Sequence, residues 1–326
     1  MKVKDWKLAL SVLLASVFIM ALGYALIVAP YYIHQELKTV FPDLFYSNEP
    51  WMMGEFVDSV RPIGYASFLV VLVLIVFGFV TEREQVTSIG TAAFILPMFA
   101  SFTFSMFFMA GLGILRLLWL PLLDVCPIAL RLGDIVFTPI FPVLLILGYS
   151  PFLLWISITL VGLAIFLFGI VTWLYGKLEG KALIDFWAYR YSRHPQYLGF
   201  LVTSYGLLIR ATNHAIIVGD HITGPSLPWV VSALIVVCMA LIEEIKMKQR
   251  HKEGYEKYRE KTPFMLPLPR SIERILTSPL RRIIGVDFPR NRKEVAYTFS
   301  IYLILIALLT SPLMIFILLA SGSSVS

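Results

Sequence analysis

A chain of 326 residues that is 58% hydrophobic and only 15% charged cannot hide its apolar surface in a water-soluble core, since average soluble domains carry about 25% charged residues. With a mean hydropathy of +0.80 and several runs of the roughly 20 apolar residues needed to cross about 30 Å of hydrocarbon, it reads as a membrane protein. Its net charge of +6 fits positive-inside bias and attraction to anionic lipid, and gives no ground for nucleic-acid binding.

Backbone groups inside lipid must be satisfied within their own segment, so the apolar runs are expected to be helices. The alternating segments of a membrane barrel are missing. The N-terminus places Lys2, Lys4 and Lys7 before an apolar run to Ala29, too long for a signal-peptide core of about 7–15 residues. A first span is expected at about 8–29, ending before Pro30. The loop to Pro62 holds Glu36, Asp43, Glu49, Glu55 and Asp58 against Lys38 and Arg61, a balance suited to the outside. A second span follows at about 63–80, then a short turn, Thr81 to Gln85, and a third span to about 110, kinked at Pro97. Residues 111–150 hold two short apolar runs broken by Pro121, Pro127, Pro139 and Pro142. They form either an interfacial hairpin or two short crossings, and both choices leave the downstream orientation unchanged.

A fourth span is expected at about 151–175. After a polar stretch from Gly176 to Pro195, apolar segments at about 197–211 and 227–242 flank a loop, Thr212 to Pro228, without Lys or Arg. The stretch Glu243–Glu294 then carries fourteen Lys and Arg, before a last apolar run at about 296–320. Placing the basic segments inside predicts an all-α, polytopic protein of about seven spans, or more if 111–150 crosses twice. Its N-terminus is cytosolic and its C-terminus external. Three regions follow: 1–150, 151–270 and 271–326. Cys126 and Cys238 lie in or beside apolar segments with no metal-ligand spacing, and a disulfide between them is not expected.

Two polar clusters interrupt this apolar background, and the topology puts both on the cytosolic side. One is Tyr189-Arg-Tyr-Ser-Arg-His-Pro-Gln-Tyr-Leu-Gly199. Pro195 suits the first turn of a helix, and such a start favours an anionic group. Arg193 can clamp a carboxylate with two parallel hydrogen bonds, and Gly199 permits close approach of a ligand or a neighbouring helix. The structural alternative makes Arg190 and Arg193 membrane-edge cations and the tyrosines interfacial aromatics. The second cluster is Glu243-Glu244, where carboxylates sit badly at a helix end and at a membrane boundary. If the helix continues, spacing offers Glu244 with Lys248 and Glu243 with Arg250, and puts Glu244, Lys248, His251 and Tyr255 on one face. A salt-bridged helix edge and a catalytic or cofactor-binding pair both fit.

Four strings together resemble the isoprenylcysteine carboxyl methyltransferase and phospholipid methyltransferase superfamily of membrane enzymes. They are Arg193-His-Pro-Gln-Tyr-Leu-Gly199, Glu243-Glu244, Gly254-Tyr-Glu-Lys-Tyr258 and Thr262-Pro-Phe-Met-Leu-Pro267. In order and spacing they are similar to that family's pattern over about residues 155–270. One departure is Trp187, where family members usually place glycine.

The resemblance implies S-adenosylmethionine as methyl donor at the cytosolic face and a lipidic or prenylated acceptor entering from the bilayer. By position, Tyr189, Arg193, His194, Tyr197 and Gly199 would form one wall of the cofactor pocket, Glu243 and Glu244 another, with Tyr255 and Tyr258 closing it. Glu243, Glu244 and Arg250 would be the catalytic candidates. Methyl transfer from an activated sulfonium needs positioning more than a metal. A carboxylate acceptor needs no base, whereas an amine must lose a proton, to Glu243, Glu244 or His251. Trp187 and Tyr191 are candidates to pack on the adenine. Membrane sterol reductases, which use a nicotinamide cofactor, share a similar Arg-His-Pro element. A transporter or scaffold is the non-enzymatic alternative, but it should carry charge deep in its spans or internal repeats.

Overall fold

Apolar runs long enough to cross a bilayer do become helices. The computed structural model describes residues 3–24, 50–81, 120–125, 131–140, 151–213, 226–266 and 270–322, with isolated positions between. In chain order the helices are α1 (Val3–Gly23), α2 (Pro50–Val80), α3 (Leu120–Val125), α4 (Pro151–Leu178), α5 (Ala188–Tyr191), α6 (Pro195–Asn213), α7 (Ser226–Lys261), α8 (Arg270–Ile284) and α9 (Arg292–Gly322), with a 3-10 turn at Asp134–Phe137. No strand occurs among the described residues.

Five helices can span a membrane, at Trp6–Gly23, Asp58–Gly78, Leu153–Leu178, Ser226–Lys261 and Arg292–Pro312. Leu13, Leu69, Leu160 and Leu308 are all exposed on them, as lipid-facing residues are. The chain is a polytopic α-helical membrane protein. α6 has the length of a span at 19 residues but carries Gln196, Tyr197, Thr203, Ser204 and Tyr205 and is not among the five. Most of the expected third span, Pro97 included, and the loops around 37–49 and 214–225 lie outside the described residues, as does most of 111–150 beyond α3 and the 3-10 turn.

Two expected boundaries shift. α2 starts at Pro50 and runs through Pro62 rather than beginning after it. α4 extends three residues past the expected end, to Leu178. The basic stretch after Glu244 also contains a helix not expected from its charge, α8.

The chain divides into two compact units. One is Met1–Ala21, Leu153–Gly206 and Val230–Ser326; the other is Leu22–Phe152 and Leu207–Trp229. In the second, Arg61 pairs with Asp58 at 3.0 Å and with Asp124, tying α2 to α3. There the buried Asp134 carboxylate accepts from Arg131 Nε at 2.8 Å and Ser226 Oγ at 2.6 Å.

The first unit holds the candidate site. α1 packs Ala15 against Ile170 and Val171 of α4, and Lys7 Nζ meets Glu179 Oε1 at 2.8 Å. α4 and α6 run antiparallel at very close range. A Cβ on Gly199 would overlap Phe166 N, one on Gly162 would overlap Thr203 N, and one on Gly169 would lie 3.1 Å from Gln196 N. The pairs 169–196, 166–199 and 162–203 keep one antiparallel register, and small residues let the backbones touch. At α9, Asn291 is the N-cap: its Oδ1 accepts from Glu294 N at 3.0 Å, and Glu294 returns its carboxylate to Arg290 N at 2.7 Å and Asn291 Nδ2 at 2.8 Å. This is a close variant of a capping box.

Candidate functional site

Helix starts and breaks decide where the polar side chains go. α6 begins at Pro195, as its missing N–H favours, and delivers Arg193 and His194 just before its first turn. α7 carries Glu243 and Glu244 and does not run straight. It breaks at Lys252, where φ is 39° and ψ is −119°, a conformation that costs a non-glycine residue roughly 1–3 kcal/mol. The break turns the last segment of α7 back, so that Tyr255 and Tyr258 meet the Arg193 region.

At the centre is the buried Glu244 carboxylate. One oxygen, Oε1, accepts from Arg193 Nε at 2.8 Å, His194 Nε2 at 3.0 Å and the Tyr255 hydroxyl at 2.5 Å. A carboxylate only accepts, so the imidazole proton must lie on Nε2. The other oxygen, Oε2, is buried without a hydrogen-bond donor among the described residues; Arg259 Nε lies 3.8 Å away. Three donors on one oxygen and none on its twin is a lopsided arrangement, and an unsatisfied buried acceptor carries a desolvation cost of about 1–3 kcal/mol.

Arg193 does not present an open fork. Besides Glu244, it donates from Nη1 to Arg259 O at 3.0 Å and to Thr262 O at 2.6 Å, while its backbone N–H bonds Pro263 O at 3.0 Å. The two-bond carboxylate clamp expected at this arginine is not formed: Arg193 reaches Glu244 through Nε alone, and Nη1 is spent on backbone carbonyls. Its guanidinium also lies over Phe264 at 5.8 Å, and His194 meets the same ring edge-on at 5.2 Å.

Glu243 faces outward. Its side chain is 52% exposed, accepts from the Tyr197 hydroxyl at 2.6 Å and lies 3.7 Å from His194 Nδ1. The Tyr197 ring stacks on His194 at 5.7 Å. The two adjacent glutamates therefore have different surroundings: Glu244 is locked inward and Glu243 stands at the rim. Tyr189 backs the wall, its hydroxyl on Gln196 Oε1 at 3.2 Å and its carbonyl accepting from Tyr258 at 2.7 Å. Burial raises the Tyr189 phenol above its ordinary range, so it stays a neutral donor.

Most of the expected residues thus converge: Tyr189, Arg193, His194, Tyr197, Glu243, Glu244, Tyr255 and Tyr258. Gly199 does not face the cluster, because its missing side chain is what admits the Phe166 backbone of α4. Arg250 is exposed on α7 and is not among the groups around Glu244. The expected helix-surface partners also differ. Lys248 pairs with Glu256 at 2.6 Å, across the Lys252 break, and Glu244 takes Tyr255 from the far side of that break together with Arg193 and His194 from just before α6. Trp187 has φ of 48°, the left-handed region that favours glycine, at the position where the resembled family places glycine. Its ring stacks on Tyr175 at 4.9 Å and meets Phe186 edge-on at 5.4 Å, so it is engaged with protein aromatics.

Arg259 and Phe288 complete the cluster without having been expected, and Thr262, the first residue of the fourth string, joins it through its carbonyl. Arg259 lies over Phe288 at 4.6 Å, and Phe288 meets Phe264 at 6.1 Å. Arg259 follows Tyr258 directly, so the Tyr-x-x-Tyr string pointed near it. Phe288 arrives from the loop between α8 and α9, with no sequence signal. Elsewhere in the unit Cys238 is a free thiol directed at Val295 O, 3.8 Å away; Cys126 lies outside the described residues.

Comparison with known families finds one match that coincides with this geometry. A family described as a protein of unknown function, DUF1295, matches residues 135–262. No curated protein and no solved structure matches. The matched stretch runs from the start of the 3-10 turn to the end of α7 and includes every polar group around Glu244, so the similarity to that family falls on the candidate site.

Proposed function

We propose that this protein is an integral membrane methyltransferase that uses S-adenosylmethionine and acts on a lipidic or prenylated acceptor at the cytosolic face. The observation that carries the reading is the buried Glu244 Oε2, an acceptor without a donor among the described residues, beside a second, half-open carboxylate. The residues fit a ligand that is cationic at its reacting end. Among the described residues Glu244 Oε2 lacks a donor that an ammonium or N–H group would supply, and Glu243 at the rim offers a negative charge where a sulfonium would be stabilised. When bound, S-adenosylmethionine supplies a methyl group already activated on sulfur.

The chain's own residues then have separable roles. Arg193, His194 and Tyr255 are positioning residues: they hold Glu244 ionised and fix its orientation. Tyr197 orients Glu243. Tyr189 and Tyr258 close the wall by joining α5 to the turned-back end of α7. With an amine acceptor, Glu243 is the carboxylate best exposed to take a proton; with a carboxylate acceptor no base is needed. The position at the end of an apolar helix suits a polar donor from one side and an apolar acceptor from the other.

The test is calorimetric titration of the purified protein with S-adenosylmethionine and, separately, with NADPH. Saturable binding of the first and not the second supports the methyltransferase. The reverse result replaces it with a nicotinamide-dependent reductase on the same scaffold.

A further inference from the structure

On the opposite face of α7 from Glu244 lies a second feature that the methyltransferase reading does not use. A cleft of about 270 Å³ opens between α7 and the start of α9, lined among others by Ile242, Ile245, Lys246, Gln249, Arg290 and Arg292. Residues 242, 245, 246 and 249 share one helical face, because turns repeat every 3.6 residues, and Glu243 and Glu244 do not belong to it. The floor is apolar and the rim carries three cations from two elements.

We propose that this cleft binds the phosphate-bearing headgroup of an anionic membrane lipid. Its size, at the lower edge of small-molecule pockets of about 300–1,000 Å³, suits a headgroup rather than a whole amphiphile. Its location selects lipid over soluble phosphate. Arg292 is the first residue of the α9 span, and α8 lies just before it in sequence. α8 is strongly amphipathic, with Ile272, Ile275, Leu276 and Ile283 exposed and Arg274, Arg281 and Arg282 between them. It is fastened to α9 by a hydrogen bond from the Tyr302 hydroxyl to Leu276 O, about three turns into that helix. A basic amphipathic helix held beside the start of a span is suited to the headgroup–acyl boundary, where each Lys or Arg near an anionic surface contributes attraction. The acyl chains of a lipid whose phosphate occupies the cleft would then run along the exposed apolar side chains of α8 and α9.

Native mass spectrometry of the full-length protein in detergent tests this. The probes are phosphatidylglycerol, phosphatidylcholine of identical chains, and inorganic phosphate. The wild type should retain phosphatidylglycerol at least tenfold more tightly than phosphatidylcholine. The triple variant K246Q/R290Q/R292Q should lose at least tenfold of that affinity, while Lys181→Gln, at a cation that does not line the cleft, should stay within twofold. Ile245→Glu keeps all three cations but puts a carboxylate in the floor, and the same loss is expected should the triple variant aggregate. Equal retention of the two lipids, or undiminished phosphatidylglycerol binding in folded cleft variants, overturns the proposal. So does displacement of the lipid by millimolar inorganic phosphate, which would make this a soluble-anion site. Binding of S-adenosylmethionine should be unchanged in the triple variant, so the two readings stand or fall separately.

Discussion

Adjacent glutamates in this protein are predicted to respond differently to the same substitution. Glu244 is buried against Arg193, with side chains 9% and 4% exposed. Removing one partner of a buried pair leaves the other charge uncompensated, at a cost of about 3–5 kcal/mol. Glu244→Gln should therefore lower thermal stability in detergent as well as ligand binding. Glu243 is at the rim, and changes at such positions usually stay within about 0.5 kcal/mol. Glu243→Gln should leave the melting temperature essentially unchanged while lowering methyl transfer tenfold or more. An unchanged rate would remove Glu243 from the chemistry. Trp187 offers a second contrast. Trp187→Gly relieves its left-handed backbone at the loss of the Tyr175 stack, whereas Trp187→Ala loses the stack and keeps the strain. Thermal melts should place the glycine variant above the alanine variant by roughly 1 kcal/mol; the opposite order would show that the turn is not strained. The sequence made these residues legible as isolated polar groups in an apolar chain, but not their partners. Helical spacing proposes neighbours three, four or seven residues away, whereas Glu244 bonds Arg193 and His194, which lie on another element.

Glycine separates two kinds of helix position. On α6, Gly199 touches the Phe166 backbone, and Gly199→Ala would insert a methyl where no flexible side chain can move aside. Overpacking of this kind typically costs about 1–3 kcal/mol, more than the roughly 1 kcal/mol that alanine gains in helix propensity. Gly254, on the turned-back end of α7, has open space within 4 Å of the point a Cβ would occupy, so Gly254→Ala should keep that gain. Thermal melts should therefore shift down for Gly199→Ala and up for Gly254→Ala; an upward shift for Gly199→Ala would contradict the close α4–α6 contact. The spans themselves were readable because hydrophobic length is a direct physical requirement of the bilayer. The break at Lys252 was not. The glycine that would mark a turn stands two residues later, and the bend is fixed by Tyr255 and Tyr258 reaching tertiary partners. α8 escaped notice because its charge density masked an apolar stripe that continues through Pro279.

At the scale of the whole molecule, the Lys and Arg asymmetry between loops is the ground on which we propose that the N-terminus and the candidate site are cytosolic. Cysteines introduced at Glu179 and Glu253 should resist membrane-impermeant labelling from outside intact cells and react after permeabilisation; labelling of either in intact cells would reverse the orientation. The five apolar helices were legible from hydrophobic length, whereas the packing of α1 on α4 and of α4 on α6 was not. The proposed chemistry would be carried by fewer than a dozen side chains, and it turns on whether a ligand satisfies Glu244 Oε2. The most direct measurement is titration calorimetry of the wild type with S-adenosylmethionine and with NADPH, repeated on Glu243→Gln. Saturable binding of S-adenosylmethionine alone is expected, weakened about tenfold or more by the substitution, in line with loss of a charged contact of about 1.5–3 kcal/mol. Binding of NADPH in its place, or S-adenosylmethionine affinity indifferent to Glu243, would contradict it.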